Sequence, residues 1–214
     1  MKTKVLTVSL FVFCSFGASA QILTGDSFAK YDTDKYDGKA DHKHQYVQAA
    51  DGLKSRYELD KNDQLTYSVI IDCPNTPKDK LYDNINGWFT KAFGDKTSTI
   101  TTNSKESGTL SVNTTLKNVV TYPHQIVSVN MITKINIKDD KIRLTCTIKD
   151  YVINTSSSWN PKKCYPFYDE QDELRKKIGA SAYVAGYAFA EIVQQQLTDA
   201  AKPKVETPSS DDDW

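Results

Sequence analysis

The chain has 214 residues with 27 Lys and Arg against 27 Asp and Glu, a formal net charge of 0. That length suits one domain of common size plus tails, or at most two small ones. A neutral chain lacks the electrostatic footprint of a general nucleic-acid binder.

Residues 1–20 read as an export signal. Lys2 and Lys4 form a basic start, Val5 to Phe16 an apolar run, and Ala18-Ser19-Ala20 a small-residue cleavage site before Gln21. The run is shorter than the roughly 20 residues a membrane-spanning helix needs. Cys14 raises a lipid anchor, but Val12 and Phe13 stand where a lipoprotein signal wants small residues, so ordinary cleavage after Ala20 is expected. Cleavage leaves 194 residues and removes two lysines and no acid, shifting the charge to −2. The mature chain is then expected in the periplasm or secreted, with no transmembrane segment.

Residues 21–62 are dense in Asp, Lys and Tyr without a sustained apolar period, and predict a polar, partly irregular arm. Asp32, Asp34, Asp37 and Gly38 imitate a calcium loop, but Tyr36 and Lys43 fall where oxygen ligands belong. His42 and His44 could be half a metal site, yet no third ligand completes it.

The domain is expected over residues 63–200. Tyr67, Val69, Ile71 and Cys73 alternate with Ser68, Ile70 and Asp72, the pattern of a strand with one buried face. Pro74 and Pro77 end it. Thr76 is placed as a helix N-cap with Pro77 at the first helical position. Leu81, Ile85, Trp88, Phe89 and Ala92 then trace a buried helical stripe, Gly87 is a site where a strand could come close, and Gly94 is the C-cap.

Four strands follow. Thr97 to Thr102 is the weakest. Leu110 to Leu116, Val127 to Ile137 and Ile142 to Ile148 each alternate apolar with polar, separated by turns at Lys105–Gly108 and Lys138–Lys141. Residues 154–168 form a loop carrying Trp159, Cys164, Tyr165 and Phe167. A long helix is expected from Asp169 to about Ala200, with Leu174, Ile178, Ala182, Ala185, Phe189, Ile192 and Gln196 inward. Asp169, Glu170, Asp172 and Glu173 suit its N-terminus, where the dipole favours negative charge. Residues 201–214 read as a disordered acidic tail. The order β-α-β4-α, with apolar stripes on both helices and one apolar sheet face, predicts an α+β two-layer sandwich: a five-stranded antiparallel sheet with both helices on one face.

Two motifs carry a family resemblance. The helix Pro77–Trp88 after the first strand is similar to a "skdelYdkaxxW" helix, and Lys138–Arg143 to a "KdgKyR" hairpin, with Asp140 where Gly is usual and Ile142 where Tyr is usual. With the Gly-containing turn SKESGTL, these resemble an exported bacterial family of unknown function, number 4468 in that series, over about residues 63–153. The resemblance implies a curved TATA-box-binding-protein-like (TBP-like) sheet. It brings no activity and no catalytic residues.

The chemistry read from the residues is sparse. The chain has 3 histidines, His42, His44 and His124, and lacks a GxSxG, an HExxH, a phosphate loop or a dinucleotide fingerprint, so no enzyme and no cofactor is expected. A hydrolase would need clustered polar residues in a cleft. Cys73, Cys146 and Cys164 allow one disulfide with a thiol left over, or three buried thiols. The open face collects Ser, Thr and Asn with Lys117, Asn130, Lys134, Arg143, Thr145 and Lys149, against one acid, Asp72. It carries no aromatic wedge of the kind that opens a minor groove, so nucleic acid is not expected as partner. The leading reading is an exported, non-enzymatic binding or structural module of the cell envelope, meeting a protein or glycan through that face or the loop around Trp159. The alternative is a carrier of a small apolar ligand in a cavity lined by Met131, Phe189 and Ile192.

Overall fold

Runs of β-branched residues alternating with polar ones build a single antiparallel sheet, and the helices between and after them cover one side of it. The computed structural model describes residues 45–202 apart from 63 and 123–124. Residues 1–20, where an export signal is expected, Asp32–Gly38, His42, His44, His124 and residues 203–214 lie outside these residues.

The elements run α1 (Gln45–Leu53), β1 (Glu58–Leu59), β2 (Leu65–Asp72), α2 (Lys78–Ala92), β3 (Ser98–Ser104), β4 (Thr109–Tyr122), β5 (Gln125–Lys138), β6 (Lys141–Ile153), β7 (Ser157–Trp159) and α3 (Glu173–Ala201). The sheet order is β1-β2-β6-β5-β4-β3, with β7 paired to β6. Its seven strands are the five expected plus the short β1 and β7, so the α+β class and the layer order hold.

Residues 45–62, the described end of the polar stretch, hold a helix and a short strand that their composition does not predict. Helix α1 carries only Val47, Ala49, Ala50 and Leu53 as apolar side chains, too weak a stripe to read. Ala50 is nonetheless fully buried, and the Tyr183 hydroxyl donates to the Leu53 carbonyl at 2.7 Å. Tertiary packing on α3 makes this helix, as it does most short ones. At the β1–β2 hairpin Asp60 Oδ1 accepts from the amides of Asn62 and Gln64 at 2.8 and 2.9 Å.

The start of α2 is capped from elsewhere in the chain. Thr76 is not its N-cap: Pro77 takes that position without a side-chain cap, and the Thr76 hydroxyl donates back to the Pro74 carbonyl. The cap comes instead from the β5–β6 turn. Asp139 Oδ1 accepts from the Lys78 amide at 2.8 Å, and Asp140 Oδ1 from the Thr76 amide at 3.0 Å. Asp140 has φ 63°, a left-handed conformation that Gly, Asn and Asp tolerate best. That explains why Asp can stand where the family hairpin usually has Gly, and its carboxylate adds a bond that Gly could not make. Asp139→Ala is expected to lose about 1 kcal/mol, the usual worth of a cap, and Asp139→Asn much less. Urea unfolding of the two variants checks this.

Two glycine expectations change. Gly87 is exposed with nothing within 4 Å of a Cβ, so no strand approaches it. Phe93 rather than Gly94 is the C-cap, and Gly94 is needed because a Cβ there would come within 2.7 Å of the Thr90 carbonyl.

Within α3 the expected stripe widens to nearly the whole circumference. Residues 178–187 are buried throughout, because α1, the 160–168 loop and the sheet surround the helix. Leu174 is 43% exposed and lies outside the core, and Val193 replaces Ile192 as the fully buried position. At Gly186 a Cβ would lie 2.7 Å from Ile148 Cδ1 and 3.5 Å from Met131 Sδ, so helix and sheet touch there without spare room. Met131 and Phe189, two of the residues that the carrier reading placed on a cavity, are buried here. Among the described residues no helix is long and apolar enough to cross a membrane.

Candidate functional site

The uncovered face of the sheet is built by pairing register. Lys134 on β5 stands directly opposite Thr145 on β6, and Thr145 opposite Ser68 on β2. On the other side Lys134 faces Ser111 on β4. One row along, Arg143 lies opposite Asn136 and Ile70. Lys134 and Arg143 are therefore diagonal neighbours on the two central strands, a spacing of about 7–8 Å in a regular sheet. Both are exposed, and neither has a carboxylate partner among the described residues.

The six residues singled out from sequence divide into two groups. Lys134, Arg143 and Thr145 are brought together at the centre. Lys117 is exposed on β4 where the β4–β5 register shifts after Leu116, and Lys149 is exposed where the β5–β6 register shifts between Asn130 and Met131. Asn130 is already engaged at both ends: its Oδ1 accepts from the Thr115 hydroxyl at 2.7 Å, and its Nδ2 donates to Asp150 Oδ1 at 2.6 Å.

Asp150 was missed by the period-2 reading. Ile148 pairs with Met131 and Asp150 with Asn130, so Lys149 is the extra residue of a β-bulge and Asp150 turns onto the open face. That face therefore holds two acids, Asp72 and Asp150. Asp72 is opposite Lys141, and Asp150 is bonded to Asn130. Further rows are closed by Thr66–Thr147 at 3.1 Å and Asn136–Thr109 at 3.2 Å. Ile70, 53% exposed, adds an apolar spot beside Arg143. Among the described residues no aromatic side chain projects from this face.

Helix α3 starts at Glu173, four residues later than the expected Asp169, with the acids gathered at its N-terminus. Asp172 Oδ1 accepts from the Arg175 amide at 2.9 Å as the N-cap, and Asp169 pairs with Lys176 at 2.7 Å. The hydrogen-bonded Lys176 ammonium holds the Asp169 carboxyl below its ordinary range. These are structural bonds of a helix start rather than an acid–base pair. Among the described residues no group of three His, Cys, Asp or Glu could hold a metal.

Cys73, Cys146 and Cys164 are all free and buried. Cys146 is opposite Tyr67 on β2, while Cys73 lies beyond that strand's end, so adjacency of the two strands does not bring the two thiols together. Burial pushes the Cys146 and Cys164 thiols up to about 12. The thiolate is the nucleophile, so both resist alkylation in the folded protein near neutral pH. After unfolding without reductant, each of the three is expected to take one label by mass. In the unfolded chain these thiols ionise from the ordinary value of 9.0, while the folded chain keeps its protons to about 12, so stability falls as pH rises through that window. Equilibrium unfolding above pH 9 checks the sign.

The family model described as "Domain of unknown function (DUF4468) with TBP-like fold" matches residues 67–151. A TBP-like protein from Parabacteroides distasonis is 17% identical with a TM-score of 0.53, covering 66% of this chain and 95% of its own. A DUF4468 family protein from Bacteroides ovatus is 12% identical, also at 0.53, covering 79% of this chain and 100% of its own. No protein of curated function matches the chain. Residues 67–151, the stretch that holds the helix and hairpin motifs, thus match the model of that family, and the fold is TBP-like.

Proposed function

We propose that the protein is an exported, non-enzymatic binding module of the cell envelope whose working surface is the open face of the sheet, and that it meets an anionic glycan. The observation that carries this is the pair Lys134 and Arg143, adjacent on the central strands, exposed and without carboxylate partners among the described residues, in a field of hydroxyls and amides. A cell commonly leaves a sheet face polar for solubility alone. An unpaired cationic centre is what turns such a face into a surface for a repeating anion. The residues 1–20 support export, and the absence of aromatic wedges argues for a glycan over a nucleic acid.

The test uses the full chain titrated with an acidic polysaccharide and with neutral dextran. Acidic polymer is expected to bind, more weakly at high salt because exposed charges are screened. Lys134→Ser with Arg143→Ser should weaken it about tenfold or more, or about 1.4 kcal/mol. Equal binding of dextran, or a double variant that binds as well as the parent, would remove the open face as the site. Detection of the protein in the cytoplasm alone, by fractionation, would remove the envelope.

A further inference from the structure

A second site lies on the opposite side of the sheet. Trp159 on β7 is directly opposite Tyr151, a fully buried residue of the helix-covered face, so the indole faces that side too. With the start of α3 and the 160–164 turn it walls a groove of about 280 Å³. One water takes about 30 Å³, so the groove has room for a ring.

The groove is held open by its own hydrogen bonds. Gln171 Nε2 donates to the Lys163 carbonyl at 2.9 Å, and Gln171 Oε1 accepts from the Tyr165 amide at 3.3 Å, so that side chain is occupied. Asn160 Oδ1 accepts from the Lys162 amide at 2.9 Å, which leaves its Nδ2 as a donor. The guanidinium of Arg175 lies 5.9 Å from the centre of the Trp159 ring, a cation–π arrangement that steadies both. Its Nε is 3.4 Å from Asp172 Oδ2, and the two terminal nitrogens remain. Lys163 adds a second exposed cation. The polar groups left over are therefore Lys163 Nζ, Arg175 Nη1 and Nη2, Asn160 Nδ2 and the Ser158 hydroxyl. All but the hydroxyl can only donate, and they stand beside a flat apolar wall.

We propose that this groove binds a carboxylate carried on a six-membered ring: the ring lies along the Trp159 indole and the carboxylate takes the paired donors of Arg175 with Lys163. A guanidinium fork matches a carboxylate in two parallel bonds. A ring against an indole adds the apolar contact that a bare anion cannot use. The site is independent of Lys134 and Arg143, and it stands if the open face has no ligand.

The test follows the tryptophan indole signals of the uniformly labelled full chain by NMR, with Trp159→Phe to assign Trp159. Glucuronate and benzoate are the probes; glucose, benzyl alcohol and inorganic phosphate are the controls. The Trp159 signal is expected to shift with at least one acid and with none of the controls, and which acid binds tells a sugar ring from an aromatic one. Arg175→Gln and Lys163→Gln, both at exposed positions, should each weaken binding about tenfold, while Lys80→Ser, exposed on α2 and in neither site, leaves it unchanged. The proposal is overturned if neither acid moves the Trp159 signal, if phosphate or a neutral ring moves it as strongly as the acids, or if Arg175→Gln and Lys163→Gln together leave affinity intact.

Discussion

Phe89→Ala is expected to lose about 3–5 kcal/mol of stability, the range for emptying a fully buried aromatic site. Trp88→Ala, one residue earlier, should lose only about 1–2 kcal/mol. The two residues sit on one helical stripe and look interchangeable by period. Phe89 is fully buried, its ring 5.2 Å from that of Phe93, at the point where α2 meets the sheet and α3. Trp88 is half-buried at the rim of the core, where its Nε1 donates to Gln196 Oε1 at 3.2 Å and its ring meets the edge of Phe93. Its truncation leaves a dent open to water rather than a sealed cavity, so the penalty is mostly lost contact. Chemical denaturation of both variants decides the matter. A larger loss for Trp88 than for Phe89 would mean that the tryptophan of the family motif is a core residue after all.

Gly108→Ala is expected to be the most damaging single change in the turns, losing about 2–5 kcal/mol. Two costs combine. The position has φ 64°, where a side chain costs about 1–2 kcal/mol. A Cβ there would also come within 2.4 Å of the Ile137 carbonyl oxygen, a backbone atom that cannot step aside without pulling β5 with it, and overpacking of this kind costs about 1–3 kcal/mol. The same contact is used constructively in the native chain, where the Ile137 amide donates to the Gly108 carbonyl at 2.7 Å. Gly87→Ala is the matched control. Gly87 sits on an exposed helix face with nothing near it, and the change should stabilise by up to about 1 kcal/mol. Opposite signs for the two glycines, read as melting-temperature shifts, would confirm that their roles differ in kind.

Much of the fold was legible because the strands β2, β4, β5 and β6 have one apolar face each, and that alternation survives in plain view from Leu65 to Ile153. The places where it misled share one physical cause: the deciding partner is distant in sequence. Asp150 lies on the open face because of a bulge opposite Asn130, and a period-2 reading has no way to count an extra residue. The helix at Gln45–Leu53 exists because α3 lies beneath it. Thr76 has the chemistry of an N-cap, but Asp139 and Asp140 occupy the position it would have filled. For the candidate site, sequence placed Lys134, Arg143 and Thr145 on one face, and the strand register sets them side by side. It could not see that Asn130 is spent on Thr115 and Asp150. The Trp159 groove was legible only as an aromatic-rich loop, since the arginine that completes it comes from the next helix.

The long-range cap on α2 also ties two segments into one opening unit. The bonds from Asp140 to Thr76 and from Asp139 to Lys78 span 64 and 61 residues. Helix α2 therefore has no satisfied first turn until the β5–β6 turn has closed over it, and the amides of Thr76 and Lys78 lose their acceptors whenever that turn peels away. In hydrogen exchange these two amides should keep time with the β5–β6 hairpin, while the middle of α2 around Ile85 follows the core. Early docking of the hairpin would then be what lets the helix begin, so that the order of assembly runs against the order of the chain.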